Sequence, residues 1–325
     1  MVKFIPVQCQ DFEYPSDADI NPQIQERTAN FFRDTITKTE IRYLSLHTDP
    51  PKVWSGIQRN KILSSEFLKE FPSILENMFD SGRSCFSKLW CDDKKWCKDF
   101  AGFLVKLTEG IKPEYIKIIE IHPPFDTYCN SLETFIERYQ TFEEETLKNF
   151  PSSIICIENR YSHPRKRKIG KFILSTNTDI IQLTELISKS HLKLKLVIDV
   201  PQLFSQHEED ENKSISEEGM IEKVLTPIRD IREFISSTHI WGKTIDGVHN
   251  ADLNTYFRNN QRVKECFLQE IYKLFDDGKA RYFLPEVLSK NKEMTAEQSI
   301  ASIVNDLKKA GIKFVKPDLF SPHIF

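Results

Sequence analysis

Residues 152–160 read SSIICIENR, a short apolar run that begins after two serines and ends in a carboxylate at Glu158. Comparable runs recur at 41–47, 115–123, 194–202, 234–242 and 280–287. Several of them carry apolar residues on both faces, as expected for parallel strands that are covered on both sides. The sequence therefore predicts at least six short, buried strands.

Between these runs lie longer segments whose apolar residues recur at helical spacing. They span 131–150, 179–191, 219–235, 263–278 and 295–311. Strands that alternate with helices indicate a parallel sheet wrapped by helices. We therefore predict an α/β fold, a (β/α)8 TIM barrel. The two strands that would complete the barrel are expected within 57–112 and 243–253.

The domain organisation expected from the sequence is simple. A chain of 325 residues is long enough for one large barrel, and 39% hydrophobic residues supply a sizeable core. Residues 1–38 read as an irregular N-terminal arm followed by a short helix, which decorates the barrel. Residues 39–325 show no internal repeat or linker, so we predict a single TIM-barrel catalytic domain there.

Composition narrows the classes of function. The formal net charge is -3, so any nucleic-acid site would have to be a local patch. Neither of the glycine-rich phosphate-binding motifs is present. The 7 cysteines form no C-x-x-C pair, which favours free thiols and a reducing, cytoplasmic environment. The sequence shows no signal peptide and no run of about 20 apolar residues, so no membrane association is expected.

Metal-binding side chains stand where five of the predicted strands end. They are His122, Glu158, Asp199, His239 and Glu286. The C-terminal ends of parallel barrel strands meet at one mouth, so these side chains should lie close together. Burying carboxylates without a partner is costly, and a divalent cation removes that cost. The histidines favour Zn or Mn, with Mg also open, and one or two ions are expected.

Six short motifs carry a family resemblance, and they occur in the order IEIHPP, CIENR, VIDVPQ, THIWG, VHNADLN and FLPEV. With these motifs the chain resembles the xylose isomerase-like TIM barrels, and among them the branch of endonuclease IV and UV-damage endonuclease (the AP endonuclease 2-type barrel). The motifs cover roughly 115 to 290. The resemblance implies a metal tetrad of Glu158, Asp199, His239 and Glu286.

The nuclease branch implies further site residues. His122 and His249 would hold a second metal or act on the scissile phosphate, beside the catalytic carboxylates Glu158 and Glu286. Weaker candidates are His47, Gln202, Asp246 and Asp252. Gln202 stands where that branch usually has a histidine, so a three-metal site is not expected.

Two chemistries could use such a site: phosphodiester hydrolysis, or isomerisation of a sugar. Basic residues near the mouth would favour the first by contacting phosphates: Arg160, Arg165, Lys166, Arg167, Lys168 and Lys243. We therefore predict a metal-dependent hydrolase, an endonuclease acting on DNA or another nucleic acid. The alternative is a sugar or sugar-phosphate isomerase or epimerase, in which Glu158 and Glu286 would move protons. A barrel that only binds a ligand is a third, weaker alternative.

Overall fold

The computed structural model describes most of the chain. The described residues are 1–11, 44–48, 70–77, 89–91, 94–108, 113–162, 170–211, 218–243, 249–287 and 293–315. Within these ranges, every helix is too short or too polar to cross a membrane.

Eleven short strands occur in the described ranges. In chain order they are β1 (Lys3–Pro6), β2 (Gln8–Asp11), β3 (Leu44–Thr48), β4 (Ile116–Ile121), β5 (Ile154–Glu158), β6 (Lys195–Asp199), β7 (Ile235–His239), β8 (Gly242–Lys243), β9 (His249–Ala251), β10 (Ala280–Leu284) and β11 (Lys313–Phe314). Nine of them form one sheet in the order β11-β1-β10-β7-β6-β5-β4-β3-β2, and every neighbouring pair in it is parallel. The remaining two, β8 and β9, form a separate antiparallel hairpin.

The sheet closes on itself through its first strand. β1 pairs with β10, whereas β2 pairs with β3. Only Val7 separates β1 from β2, and its N–H donates to the Phe283 carbonyl at 3.1 Å, so the two segments act as one strand. β11 pairs with the start of β1 at Lys3 and Phe4, on the side away from β10, and is the eighth strand of the sheet when β1 and β2 are counted as one. The prediction of an α/β, (β/α)8 barrel is therefore confirmed.

Two details of the sequence prediction need correction. The missing strands are 3–11 and 313–314. The described part of 57–112 holds helices but no strand, and 243–253 contributes the β8–β9 hairpin outside the barrel. β11 has two residues, too few to show a period of two, and Pro6 interrupts the pattern of the first strand. Part of the expected arm at 1–38 is thus barrel strand, while the boundary at 38 lies outside the described residues.

Helices occur in every segment that the periodicity predicted, although the helix expected over 219–235 ends at Leu225 and short 3-10 turns follow it. In chain order they are α1 (Pro72–Asn77), α2 (Lys95–Leu107), α3 (Leu132–Asn149), α4 (Asn177–Ser190), α5 (Val200–Glu211), α6 (Glu218–Leu225), α7 (Leu253–Tyr256), α8 (Gln261–Phe275) and α9 (Ala296–Lys309). Local signals determine several ends. The Ser131 hydroxyl accepts from the Thr134 N–H at the start of α3, and Thr176 and Asp179 form a capping box at α4. Gly311, just after α9, has φ 91°, a conformation that glycine adopts without strain.

The barrel interior is small and apolar below the mouth. Side chains from several strands pack there, namely Ile5, Val7, Ile118, Cys156, Val197, Tyr282 and Leu284. Alternate residues along a strand face the same side. Four of these residues, Ile118, Cys156, Val197 and Leu284, are each followed two positions later by an acidic residue. The acidic residues are Glu120, Glu158, Asp199 and Glu286. The strand period therefore places four carboxylates in the next layer, towards the C-terminal mouth.

Candidate metal centre

The four residues of the expected tetrad come together at the ends of neighbouring strands. Glu158, Asp199, His239 and Glu286 each offer one ligand atom, and these atoms all lie within 4.8 Å of one another. His239 Nδ1 lies 3.9 Å from Glu158 Oε1, 4.0 Å from Asp199 Oδ2 and 3.4 Å from Glu286 Oε2. All four side chains are buried, the most exposed being Glu286 at 5%.

The chemistry of this donor set fits a divalent cation. Three carboxylates and one imidazole are brought together away from water, where their mutual repulsion is weakly screened. A divalent ion would offset most of that negative charge, and oxygen ligands combined with imidazole suit Mn and Zn. The cluster could therefore bind a metal ion.

Glu120 determines how His239 presents its ring, although the sequence analysis did not single it out. Its Oε2 lies 3.1 Å from His239 Nε2, and both side chains are fully buried. Because Nε2 faces Glu120, Nδ1 is the nitrogen that faces the other carboxylates and would bind a metal. A sequence signal existed, since Glu120 is an acid within the otherwise apolar run IIEI.

Three groups surround the Glu158 carboxylate. His122 Nε2 lies 2.9 Å from Oε2, Arg160 Nη1 lies 3.2 Å from the same oxygen, and Gln202 Nε2 donates to Oε1 at 2.9 Å. Burial by itself raises the pKa of Glu158, but Arg160 and His122 outweigh it and hold the pKa well below its usual range. Glu158 is therefore ionised at neutral pH.

Asp199 experiences the opposite balance. Burial, together with the charges of Glu158 and Glu286, raises the pKa of Asp199 well above its usual range. Its Oδ2 accepts from Gln202 Nε2 at 2.9 Å and from Trp241 Nε1 at 3.2 Å. Trp241 is a second contact that the sequence analysis missed. The pKa values of the two carboxyl groups therefore shift in opposite directions, because Glu158 has Arg160 and His122 beside it whereas Asp199 has Glu158 and Glu286.

The remaining candidates divide into three groups. His122 lies at the centre, where with Glu120 and Glu158 it forms a second group that could hold a metal ion. Asp252 instead caps α7: its Oδ1 accepts from the Thr255 N–H, and its Oδ2 accepts from the Ser302 hydroxyl at 2.7 Å. Outside the described residues lie Asp246, Arg165, Lys166, Arg167 and Lys168, and likewise the side chains of His47 and His249.

The two described cations that were assigned to phosphates are both paired with acids. Arg160 contacts Glu158, as given above. Lys243 Nζ lies 3.3 Å from Glu208 Oε2 and donates to the Ser205 hydroxyl at 2.6 Å. Their positive charges are therefore offset within the protein, which weakens the argument for a phosphate-binding mouth.

Comparisons with known proteins bear on the function. No family model matches the sequence, and no curated protein matches it. Among solved structures, the chain is similar to a xylose isomerase domain protein from Alicyclobacillus acidocaldarius, with 14% identity over 94% of this chain and 98% of that one and a TM-score of 0.48. It is also similar to an L-ribulose 3-epimerase, with 12% identity, 96% of each chain covered and a TM-score of 0.49. A third is a sugar phosphate isomerase/epimerase from Parabacteroides distasonis, with 9% identity, 95% of each chain covered and a TM-score of 0.41.

None of these three structures is described as a member of the endonuclease IV branch. The fold assignment itself rests on the strand order, since all three TM-scores are below 0.5. The similar structures are described as sugar enzymes, and none of the three as a nuclease. The prediction of an endonuclease with a nucleic-acid partner is therefore wrong. That prediction relied on basic residues near the mouth to bind phosphates. Two of them, Arg160 and Lys243, are instead paired with carboxylates of the protein.

Proposed function

We propose that this protein is a metal-dependent sugar isomerase or epimerase. The observation that supports this function is the convergence of Glu158 and Glu286 on one buried metal centre, where each has an oxygen within 3.9 Å of His239 Nδ1. Two carboxylates beside one cation are the groups needed to remove a proton from a carbon next to a carbonyl and to return it.

A cation bound to Glu158, Asp199, His239 and Glu286 would polarise the carbonyl and hydroxyl oxygens of a sugar, and so acidify the intervening C–H bond. The ion is Mn or Zn in this proposal, with Mg as the third choice. Burial of the centre excludes bulk water, which strengthens that polarisation.

The protein side chains then handle the proton. Arg160 and His122 keep Glu158 ionised, so its carboxylate is ready to accept a proton from the substrate carbon. Glu286 is the second carboxylate and returns a proton to the substrate. Return to the opposite face of the same carbon gives an epimer. Return to the adjacent carbon, with the hydroxyl proton moving to the former carbonyl oxygen, gives an aldose–ketose isomer.

Solvent exchange tests this function. The protein is loaded with Mn2+, Zn2+ or Mg2+ and incubated in heavy water with a panel of aldoses, ketoses and their phosphate esters. Proton NMR should show deuterium entering a carbon next to the carbonyl of at least one sugar, and the product identifies isomerisation or epimerisation. A metal-loaded protein that exchanges no sugar of the panel would overturn the proposal.

Two variants assign the roles, with a matched control. Glu158→Gln and Glu286→Gln should each abolish exchange, because an amide cannot take up the proton. Glu143→Gln is the control, since Glu143 is also buried but accepts from the Tyr139 hydroxyl at 2.8 Å and the Lys193 N–H. It should keep full activity. Equal activity in the Glu158 variant would remove that residue from the mechanism.

A further inference from the structure

Gln202 has no part in the chemistry proposed above, yet its amide lies within the metal centre. It is 7% exposed and stands near the start of α5, three residues after Asp199. Its Nε2 donates to Glu158 Oε1 and to Asp199 Oδ2, both at 2.9 Å. One neutral amide nitrogen therefore joins two carboxylates that come from different strands.

The orientation of this amide is determined by its surroundings. Its Oε1 accepts from the Tyr161 N–H at 3.0 Å, so the nitrogen must face the carboxylates. The Gln202 main-chain N–H donates to Asp199 Oδ1 at 3.0 Å, which fixes the other oxygen of the same carboxylate. Because an amide nitrogen has two hydrogens, it can serve both carboxylates at once.

The two carboxylate oxygens that accept from Gln202 also face His239, another residue of the tetrad. Glu158 Oε1 lies 3.9 Å and Asp199 Oδ2 lies 4.0 Å from His239 Nδ1. A carboxylate oxygen has more than one lone pair, so an oxygen that accepts from Gln202 can still bind a cation. In the metal-free protein this bridge offsets the repulsion between the two carboxylates.

We propose that Gln202 is a positioning residue that preorganises the metal tetrad by holding Glu158 and Asp199 together before the ion binds. This inference rests on the metal site of the proposed function, but not on its sugar chemistry. Gln202 adds no charge and contributes no ligand atom, since its oxygen faces the Tyr161 N–H and the end that faces the tetrad is an N–H donor.

Gln206 offers a matched control on the next turn of α5. It is 1% exposed, and its Oε1 accepts from the Ser162 N–H at 2.9 Å, so it holds the same loop that Gln202 holds. Its Nε2 donates to Asp210 at 2.8 Å rather than to a residue of the tetrad. Loss of Gln206 therefore perturbs the loop and the helix without removing the bridge.

The experiment measures Mn2+ binding by titration calorimetry, with MnCl2 as the only ligand. Gln202→Met should weaken Mn2+ binding about 10- to 100-fold, the range seen when groups that support metal ligands are removed. Gln206→Met should bind as the unaltered protein does. In addition, the visible absorption of the Co2+-loaded protein should shift in the Gln202 variant alone, because that spectrum reports ligand geometry.

Gln202→Asn tests whether a loss of Mn2+ binding in Gln202→Met comes from a folding defect. It keeps an amide but is one methylene shorter, so it cannot reach both carboxylates and should also weaken Mn2+ binding. Unchanged affinity in both Gln202 variants overturns the inference, as does an equal loss in Gln202→Met and Gln206→Met. These outcomes differ from a failure of the proposed function, in which the protein binds Mn2+ but exchanges no sugar. If the unaltered protein does not bind Mn2+, both the inference about Gln202 and the proposed function are wrong.

Discussion

Glu120 Oε2 lies 3.1 Å from His239 Nε2, and neither side chain is exposed to solvent. The contact joins β4 to β7, two strands that are separated in the sheet by β5 and β6. It therefore crosses the interior of the barrel. Glu120 thus acts on the metal centre through His239, by selecting the nitrogen that faces the other ligands.

Removing the carboxylate at 120 should weaken metal binding. Glu120→Leu leaves His239 without this acceptor, so the ring can turn or carry its proton on Nδ1. We expect an affinity for Zn2+ or Mn2+ about 10- to 100-fold lower, measured by titration calorimetry. Glu120→Gln keeps an oxygen acceptor in the same place and should lose much less. Equal affinities for the Leu variant and the unaltered protein would contradict the role given to Glu120.

Metal binding should release protons at neutral pH. Burial lowers the pKa of His239, but Glu120 and Glu286 outweigh it and raise the pKa well above its usual range. The metal-free ring therefore still carries a proton on each nitrogen near pH 6.5, the ordinary pKa of histidine. A metal must displace one of them, so affinity should fall as the pH is lowered through the raised pKa.

Calorimetry in two buffers measures this release. Titrations of Mn2+ near pH 6.5 are compared in buffers with different heats of ionisation, and the difference in binding heat gives the number of protons released. At least one is expected, and Asp199, whose pKa is also raised, can add to it. A binding heat that is the same in both buffers would show that the ligands are already deprotonated.

Asp252 should stabilise the fold through its charge, and only above acidic pH. Although burial raises the pKa of Asp252, the Thr255 N–H and the Ser302 hydroxyl outweigh this effect and lower the pKa. A lowered pKa in the folded state gives stability that is present above the unfolded value, about 3.9, and is lost as the pH falls through the folded value. Asp252→Ala should therefore cost about 1–2 kcal/mol in the free energy of unfolding at pH 7.

Urea denaturation of the Asp252 variants at several pH values checks this. The difference between Asp252→Ala and the unaltered protein should shrink below about pH 3.9. Asp252→Asn is the control, because asparagine caps a helix without a charge, so its own capping contribution should not titrate. If Asp252→Ala loses the same free energy of unfolding at every pH, the effect comes from the geometry of the cap and not from its charge.

Trp90 should couple the aromatic core to the metal centre. It is fully buried, its ring lies 5.0 Å from that of Phe135 and 5.4 Å from that of Phe142, and its Nε1 donates to the His122 carbonyl at 2.8 Å. Trp90→Phe keeps an aromatic ring but removes the donor. We expect a loss of about 1–3 kcal/mol in the free energy of unfolding.

Trp96→Phe is the matched control for this variant. Trp96 belongs to the same aromatic cluster, with its ring 5.1 Å from that of Trp90. Chemical denaturation gives the stability of both variants, and calorimetry gives their Mn2+ affinity. Only Trp90→Phe should also weaken Mn2+ binding, because the main chain at His122 loses a support. The same affinity in the two variants would rule out the coupling.

Much of the architecture was accessible from the sequence, because the signals are local. Each predicted run from 115–123 to 280–287 contains a barrel strand, and the tetrad residues lie at or just beyond the ends of four of them. The missed strands are those without a readable period. β11 is too short, and the first strand is interrupted at Pro6 and Val7.

The sequence by itself determined the order of strands and helices and the polar residue at each strand end, since periodicity and residue type need no knowledge of distant contacts. Only the tertiary structure decided which side chains meet. Glu120 and His239 are 119 residues apart, and Gln202 joins carboxylates of two different strands. The same holds for Arg160 and Lys243: the sequence shows their charge, whereas only the fold shows the carboxylates that offset it.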